Sequence, residues 1–353
     1  MSDTSLAALA DKPVRTYRDY GRPLWRRILM THEMAIIALL VLVYVVASAT
    51  VRGFAGTLTI QYLLPDLVPV LLIALPMTLI IITGEIDLSV ASTAGLAGVA
   101  FGIAHAAGIP IGLAIVVALI VGVAAGAING FFITVVGLPS LAVTIGTLAL
   151  FRGLAVGLIG TDRVGGFPEA LRDLALDRIP GTPIPNMIVV FVVLAVVFAV
   201  VLHFTPVGRG IFAIGLSSEA ARFSGVRIER TKFLLFVVSG LVSALAGIYY
   251  ALKTNISLAD NTAGLELNVI AAVLLGGVSI FGGRGALHGV IAGVLLIGLV
   301  GSALRLAGLT SDVISIVTGV LLVASVVATS FLAWLRVTRV VPGGKKGSPG
   351  PVQ

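Results

Sequence analysis

Cysteine is absent from the 353 residues, which excludes disulfides, thiolate metal sites and thiol catalysis. Charge is scarce as well: 11% of residues are Asp, Glu, Lys or Arg, against about 25% in soluble domains. The four histidines are scattered, with no histidine or carboxylate partner at i, i+3 or i, i+4, so no metal site is predicted. Clustered acids, histidines or a nucleophile are likewise missing, and with them the signature of a membrane-embedded enzyme; no catalytic residue is assigned. There is no G-x-x-x-x-G-K-[ST] phosphate loop, since Gly343-Gly344-Lys345-Lys346 has neither its spacing nor its strand and helix context. No bound cofactor is expected.

What is present is apolar sequence in long runs. Hydrophobic residues make up 58% of the chain and the mean hydropathy is +1.14, far outside the soluble range. Ten runs fit the roughly 20 residues needed to cross about 30 Å of hydrocarbon. They cover 34–51, 63–83, 88–107, 110–136, 138–160, 186–204, 232–252, 267–281, 286–307 and 312–335. The 42 glycines suit helices packed backbone to backbone in lipid. The fold predicted is all-α, a polytopic membrane bundle of about ten transmembrane helices. Three parts follow: a basic cytoplasmic lead over 1–32, a transmembrane domain over 33–336, and a flexible cytoplasmic tail over 337–353.

Basic residues orient the bundle. With the N-terminus inside, sixteen of the 23 Lys and Arg fall on the cytoplasmic side, six of them in the lead and five in the loop 205–232. Only Arg52, Arg163, Arg172, Arg178 and Lys253 fall outside. The net charge of +7 therefore reads as a topology signal and not as a nucleic-acid surface. Both termini are placed in the cytoplasm, with Trp25 and Trp334 as interfacial anchors. Ala47-Ser48-Ala49 mimics a signal-peptidase site, but the basic lead is long for a signal peptide and the run before it suffices to span.

The inner loop 205–232 contains Gly215-Leu216-Ser217-Ser218-Glu219-Ala220-Ala221-Arg222-Phe223-Ser224-Gly225. Serine caps a helix start and Gly225 closes it, which predicts about two turns of helix between long spans. The outer loop, about 161–185, mixes charges with Pro168, Pro180, Pro183 and Pro185, which resist one continuous helix; it reads as a partner-docking loop or as a solvated connector. An echo between Thr83-Gly84-Glu85-Ile86-Asp87-Leu88 and Gly276-Gly277-Val278-Ser279-Ile280-Phe281 hints at a parallel internal repeat.

Glu219-Ala220-Ala221 with Gly225 resembles the cytoplasmic coupling motif of bacterial importer permeases. Further residues resemble one branch, the permeases of ribose, xylose, arabinose, rhamnose and autoinducer-type ATP-binding-cassette (ABC) importers. They are Gly84 to Val90, Asn129-Gly130, Thr144 to Thr147 with Arg152-Gly153, and Ile270-Ala271-Ala272 through Gly276-Gly277, Ser279 and Gly282-Gly283. Glu85 and Ala91 depart from glycines common there. The resemblance covers roughly 40–330 and implies a plasma-membrane permease subunit of the bacterial inner membrane, passing a monosaccharide or related small polar solute.

The partners it implies are an ATP-binding subunit that uses ATP and Mg, a second permease subunit, identical or diverged, and a periplasmic or tethered solute-binding protein. It also implies that Ser217, Ser218, Glu219, Ala220, Ala221, Arg222 and Gly225 contact the ATPase, with Glu219 and Arg222 pairing with its charges and the alanines permitting close approach. Gly84, Asp87, Gly282 and Gly283 are read as tight turns around one cytoplasmic mouth, Asp87 as a helix cap or a solute ligand. Arg152 reads as structurally paired or pathway-lining. Substrate-binding residues are not identified. Carboxylates are read as lying at turns and loops and not mid-span, which disfavours the alternative, an ion-coupled secondary transporter.

Overall fold

A computed structural model describes residues 32–160, 162–310, 312–321, 323, 324 and 327. The basic lead up to residue 31, Trp25, Trp334 and the tail over 337–353 lie outside the described residues. Thirteen helices occur among the described residues: α1 His32–Thr50, α2 Thr57–Ile82, α3 Val90–Ala106, α4 Ile111–Thr134, α5 Ser140–Ile159, α6 Glu169–Leu176, α7 Met187–Phe204, α8 Pro206–Leu216, α9 Ser218–Phe223, α10 Ile228–Thr254, α11 Leu265–Leu275, α12 Leu287–Leu306 and α13 Asp312–Leu321. The first seven predicted runs and the ninth each overlap one helix, and the tenth is described as α13 over 312–321. Seven of these helices are long and apolar enough to cross a membrane: α1, α2, α4, α5, α7, α10 and α12.

The bundle is built around α3, which is buried along almost its whole length and packs against α4, α5 and α10. Small residues make this possible. A Cβ on Gly126 of α4 would lie 2.2 Å from the Phe236 carbonyl of α10, and one on Gly240 would lie 2.1 Å from the Gly122 carbonyl. The two helices therefore touch through their backbones, as small-residue interfaces allow in lipid.

Helix α2 carries Pro65, Pro69 and Pro76, each of which removes one backbone donor. Pro69 leaves the Pro65 carbonyl without its helical partner, and the Tyr249 hydroxyl of α10 donates to it at 3.2 Å.

The eighth run departs from expectation. It was predicted to span 267–281, yet α11 stops at Leu275, giving 11 residues and roughly 16 Å, about half of a hydrocarbon core. Gly277 at φ 93° turns the chain there. The stretch 256–264 that precedes α11 is irregular and rests on α3: Ser257 Oγ donates to the Gly98 carbonyl at 2.9 Å and Thr262 Oγ1 to the Ala91 carbonyl at 2.7 Å. Non-helical backbone is tolerated at such depth only against protein. Ser257 and Ile256 also pair antiparallel with Val164 and Gly165, tying this segment to the outer loop. That loop holds one short helix, α6, with Pro168, Pro180, Pro183 and Pro185 outside it.

Candidate functional site

The inner loop folds as two short helices joined at Ser217. Helix α8 opens with Pro206 in its first turn and Thr205 as cap, whose hydroxyl accepts from the Gly208 amide at 3.4 Å. Ser217, extended at φ −165°, then caps α9 by accepting from the Ala220 amide at 3.2 Å. Gly225 closes α9 at φ 81°, where its amide donates to the Arg222 carbonyl at 3.0 Å. The cap, the length and the closing glycine thus follow the sequence reading.

Ser217, Ser218, Glu219 and Ala220 are exposed. Ala221 is not: it is 2% exposed and packs with Ile214 of α8 and Ile228 of α10, so it fastens α9 to its own chain and leaves Ala220 as the exposed alanine of the pair. Arg222 is exposed and pairs at the surface with Glu229. The sequence reading passed over Phe223, which is 88% exposed at the end of α9, and Leu216, 70% exposed at the end of α8. A phenylalanine in the most basic inner loop was the available signal. Beside α9 lies a groove of about 530 Å³ lined by Glu219, Arg222, Phe223 and Lys232 and by Thr134 and Gly137 at the end of α4.

This loop touches both glycine turns. A Cβ on Gly215 would fall 1.8 Å from the Ile82 carbonyl and 2.3 Å from the Gly283 amide, so the end of α8 sits directly on the end of α2 and on the turn before α12. The Gly283 amide donates to the Ile82 carbonyl at 2.8 Å, joining the two turns to each other. Gly84 at φ 82°, Gly282 at 82° and Gly283 at 71° adopt the left-handed backbone that lets these turns close. Gly84, Asp87, Gly282 and Gly283 are therefore brought together around one end of the bundle, next to α8. Phe281, 84% exposed, extends the apolar surface there.

Asp87 is 2% exposed. Its Oδ1 accepts from the Ser89 amide at 3.0 Å and the Ser89 hydroxyl at 2.6 Å, and its Oδ2 from the Ser239 hydroxyl of α10 at 3.0 Å. Asn129 of α4 in turn donates to Ser89 Oγ at 2.7 Å. Burial pushes the Asp87 carboxyl above its ordinary value, and the Ser89 and Ser239 hydrogen bonds pull it back. Asp87 thus braces the turn that leads into α3, whose cap position is Ser89, and ties it to α10. Glu85, the departure from the family pattern, pairs with Lys232 at the start of α10.

Most neutral polar groups of the central helices are spent internally, although the buried Asn129 Oδ1 and Ser243 Oγ have no partner among the described residues. Thr144 Oγ1 donates to the Ser140 carbonyl at 2.8 Å and Thr147 Oγ1 to the Val143 carbonyl at 3.1 Å. Arg152 of α5 lies 3.7 Å from Glu266 of α11, the structural pairing among its two readings. One expectation fails: carboxylates are not confined to turns and loops. Asp66 lies within α2 and Glu266 within α11. Both are ion-paired, Asp66 with Lys253 and, at 3.2 Å, with Arg305. A run of apolar neighbours does not reveal such pairing, because the partners are more than 100 residues away in sequence.

Residues 59–326 match the family model described as branched-chain amino acid transport system / permease component. The chain belongs to this permease family. Among its relatives is the autoinducer 2 import system permease protein LsrD of Photorhabdus luminescens, 36% identical over 271 residues, covering 75% of this chain and 81% of that protein. LsrD of Yersinia pseudotuberculosis serotype O:1b is 34% identical over 320 residues, covering 89% and 92%. No solved structure matches. The chain is accordingly a permease subunit of the ribose and autoinducer type of ABC importer, a multi-pass inner-membrane protein. It is a transport component and not an enzyme, and its family works with ATP-binding and solute-binding partners.

Proposed function

We propose that this permease passes a small sugar-like solute of the autoinducer 2 class and is driven through α9 by a separate ATP-binding subunit. The observation that carries the coupling is the contact of Gly215 with both Ile82 and Gly283, which links the exposed α8–α9 unit to the ends of α2 and of the turn before α12. A push on α9 moves the inner mouth without crossing lipid. The surface offered to the partner is Glu219, Ala220 and Phe223 with the neighbouring groove, an apolar anchor ringed by charge.

The full importer comprises this chain with a second permease subunit, the same or diverged, ATP-binding subunits that use ATP and Mg, and a solute-binding protein on the outer face. The solute class rests on the relatives' autoinducer 2 import. Ion coupling is disfavoured because Asp66 and Glu266 are neutralised by basic partners and Asp87 is held by three hydrogen-bond donors, whereas a coupling carboxylate must be free to take up a proton or cation.

The test is solute-stimulated ATP hydrolysis by the reconstituted importer. Glu219→Arg, Phe223→Ala and Gly225→Trp are expected to abolish stimulation with the permease still folded. Unchanged stimulation in all three would move coupling elsewhere, and failure of any ATP-binding subunit to associate would return the chain to ion-coupled transport.

A further inference from the structure

A crevice of about 770 Å³ separates α7 from α10. Its floor is Leu79 of α2, and its walls are apolar, chiefly Val197 and Val201 of α7 with Leu234 and Val238 of α10. Polar groups occur only at its inner end, where Arg227, Arg230 and Thr231 gather. No carboxylate lines it, and Glu229, the nearest acid in sequence, is turned to Arg222. Among the described residues, the side chains of Arg227 and Arg230 have no hydrogen-bond or ion-pair partner.

We propose that this crevice binds an anionic phospholipid of the inner leaflet, with its phosphate at Arg227 and Arg230 and an acyl chain along α7 and α10. Three features select that occupant. Helix α7 faces lipid, since Val189, Val193, Val196 and Val200 are all about half exposed on a helix that is apolar but for His203 in its last turn. From Arg227 to Val238 the crevice follows α10 for roughly 16 Å, the depth of one leaflet of a core about 30 Å thick. The cationic end lies on the inner side, where basic pockets between helices meet anionic headgroups. A soluble phosphate would leave the apolar walls unfilled, and a zwitterionic lipid would leave the arginines less well matched.

The experiment is a titration of the purified full-length permease in neutral detergent with phosphatidylglycerol and, separately, phosphatidylcholine, followed by native mass spectrometry. Wild type is expected to retain phosphatidylglycerol preferentially. Arg227→Gln and Arg230→Gln should each weaken it about fivefold. Val238→Trp, which fills the wall, should weaken both lipids, and Arg209→Gln, which removes an exposed charge outside the crevice, should change neither. Equal binding of the two lipids by wild type would overturn the proposal. So would an unchanged Arg227→Gln/Arg230→Gln variant, or an Arg209→Gln variant weakened as much as the others, which would reduce the attraction to general surface charge. Inorganic phosphate that displaces phosphatidylglycerol stoichiometrically would also overturn it, since the apolar walls would then contribute nothing.

Discussion

Asp87 holds three donors in a buried position, where burial raises its carboxyl and the hydrogen bonds from Ser89 and Ser239 lower it. The amide is nearly isosteric with the carboxylate, and Asn keeps one acceptor for Ser89 while the Ser239 hydroxyl can turn to accept from the new NH₂. Asp87→Asn is therefore expected to retain most of the thermal stability of the purified permease. Asp87→Ala leaves buried hydroxyls unpartnered and should lose about 1–3 kcal/mol, read as a lower melting temperature in detergent. Equal loss in both variants would mean that the charge itself is needed. A structural role for Asp87 at the entry to α3 was legible in its position before an apolar run. Its ties to Ser239 and, through Ser89, to Asn129 were not, because partners 152 and 42 residues away leave no local pattern. The same holds for Glu85, whose departure from the family glycine was visible in sequence but whose partner Lys232 appears only when the turn is folded against α10.

Helix α9 is six residues long, too short to persist without its cap and its packing on α8 and α10. Ser217→Ala removes the acceptor for the Ala220 amide and should cost about 1 kcal/mol, enough to lower the folded population of α9 about fivefold where it is marginal. Solute-stimulated hydrolysis should fall severalfold while unstimulated hydrolysis is unchanged, and Ser217→Asp, an equally good cap, should restore it. Failure of Ser217→Asp to rescue would show that Ser217 acts by touching the partner and not by ordering the helix. At this scale the sequence was informative wherever apolar length or a cap set the element, as for α9 with Ser217 and Gly225. It misled at α11, where hydropathy continues through Val278, Ile280 and Phe281 although Gly276 and Gly277 end the helix first. Apolar side chains in that turn are kept by burial of Val278 and by exposure of Phe281 at the proposed coupling face, not by helix.

Across the whole molecule, tertiary contacts sort into two ends. At one end Lys232 meets Glu85, Gly215 meets Ile82 and Gly283, and the Ser140 hydroxyl accepts from the Ile86 amide at 3.3 Å. At the other, Asp66 meets Lys253 and Arg305, and Val164 pairs with Ser257. Helices α2 and α10 are pinned to each other at both ends by Asp66–Lys253 and Glu85–Lys232, so they are expected to move as one body under a push from α8 and α9. The excess of Lys and Arg assigns the first end to the cytoplasm. Because the chain has no cysteine, that assignment is open to labelling without background. Phe223→Cys on α9 and Thr182→Cys in the outer loop both place a thiol at an exposed position. In intact spheroplasts an impermeant maleimide should modify Thr182→Cys and spare Phe223→Cys until the membrane is opened. The reverse pattern would invert the bundle and put α9 out of reach of any cytoplasmic ATPase. Modification of both in sealed cells would mean an even number of crossings between residues 182 and 223, which is incompatible with α7 as the single span joining them.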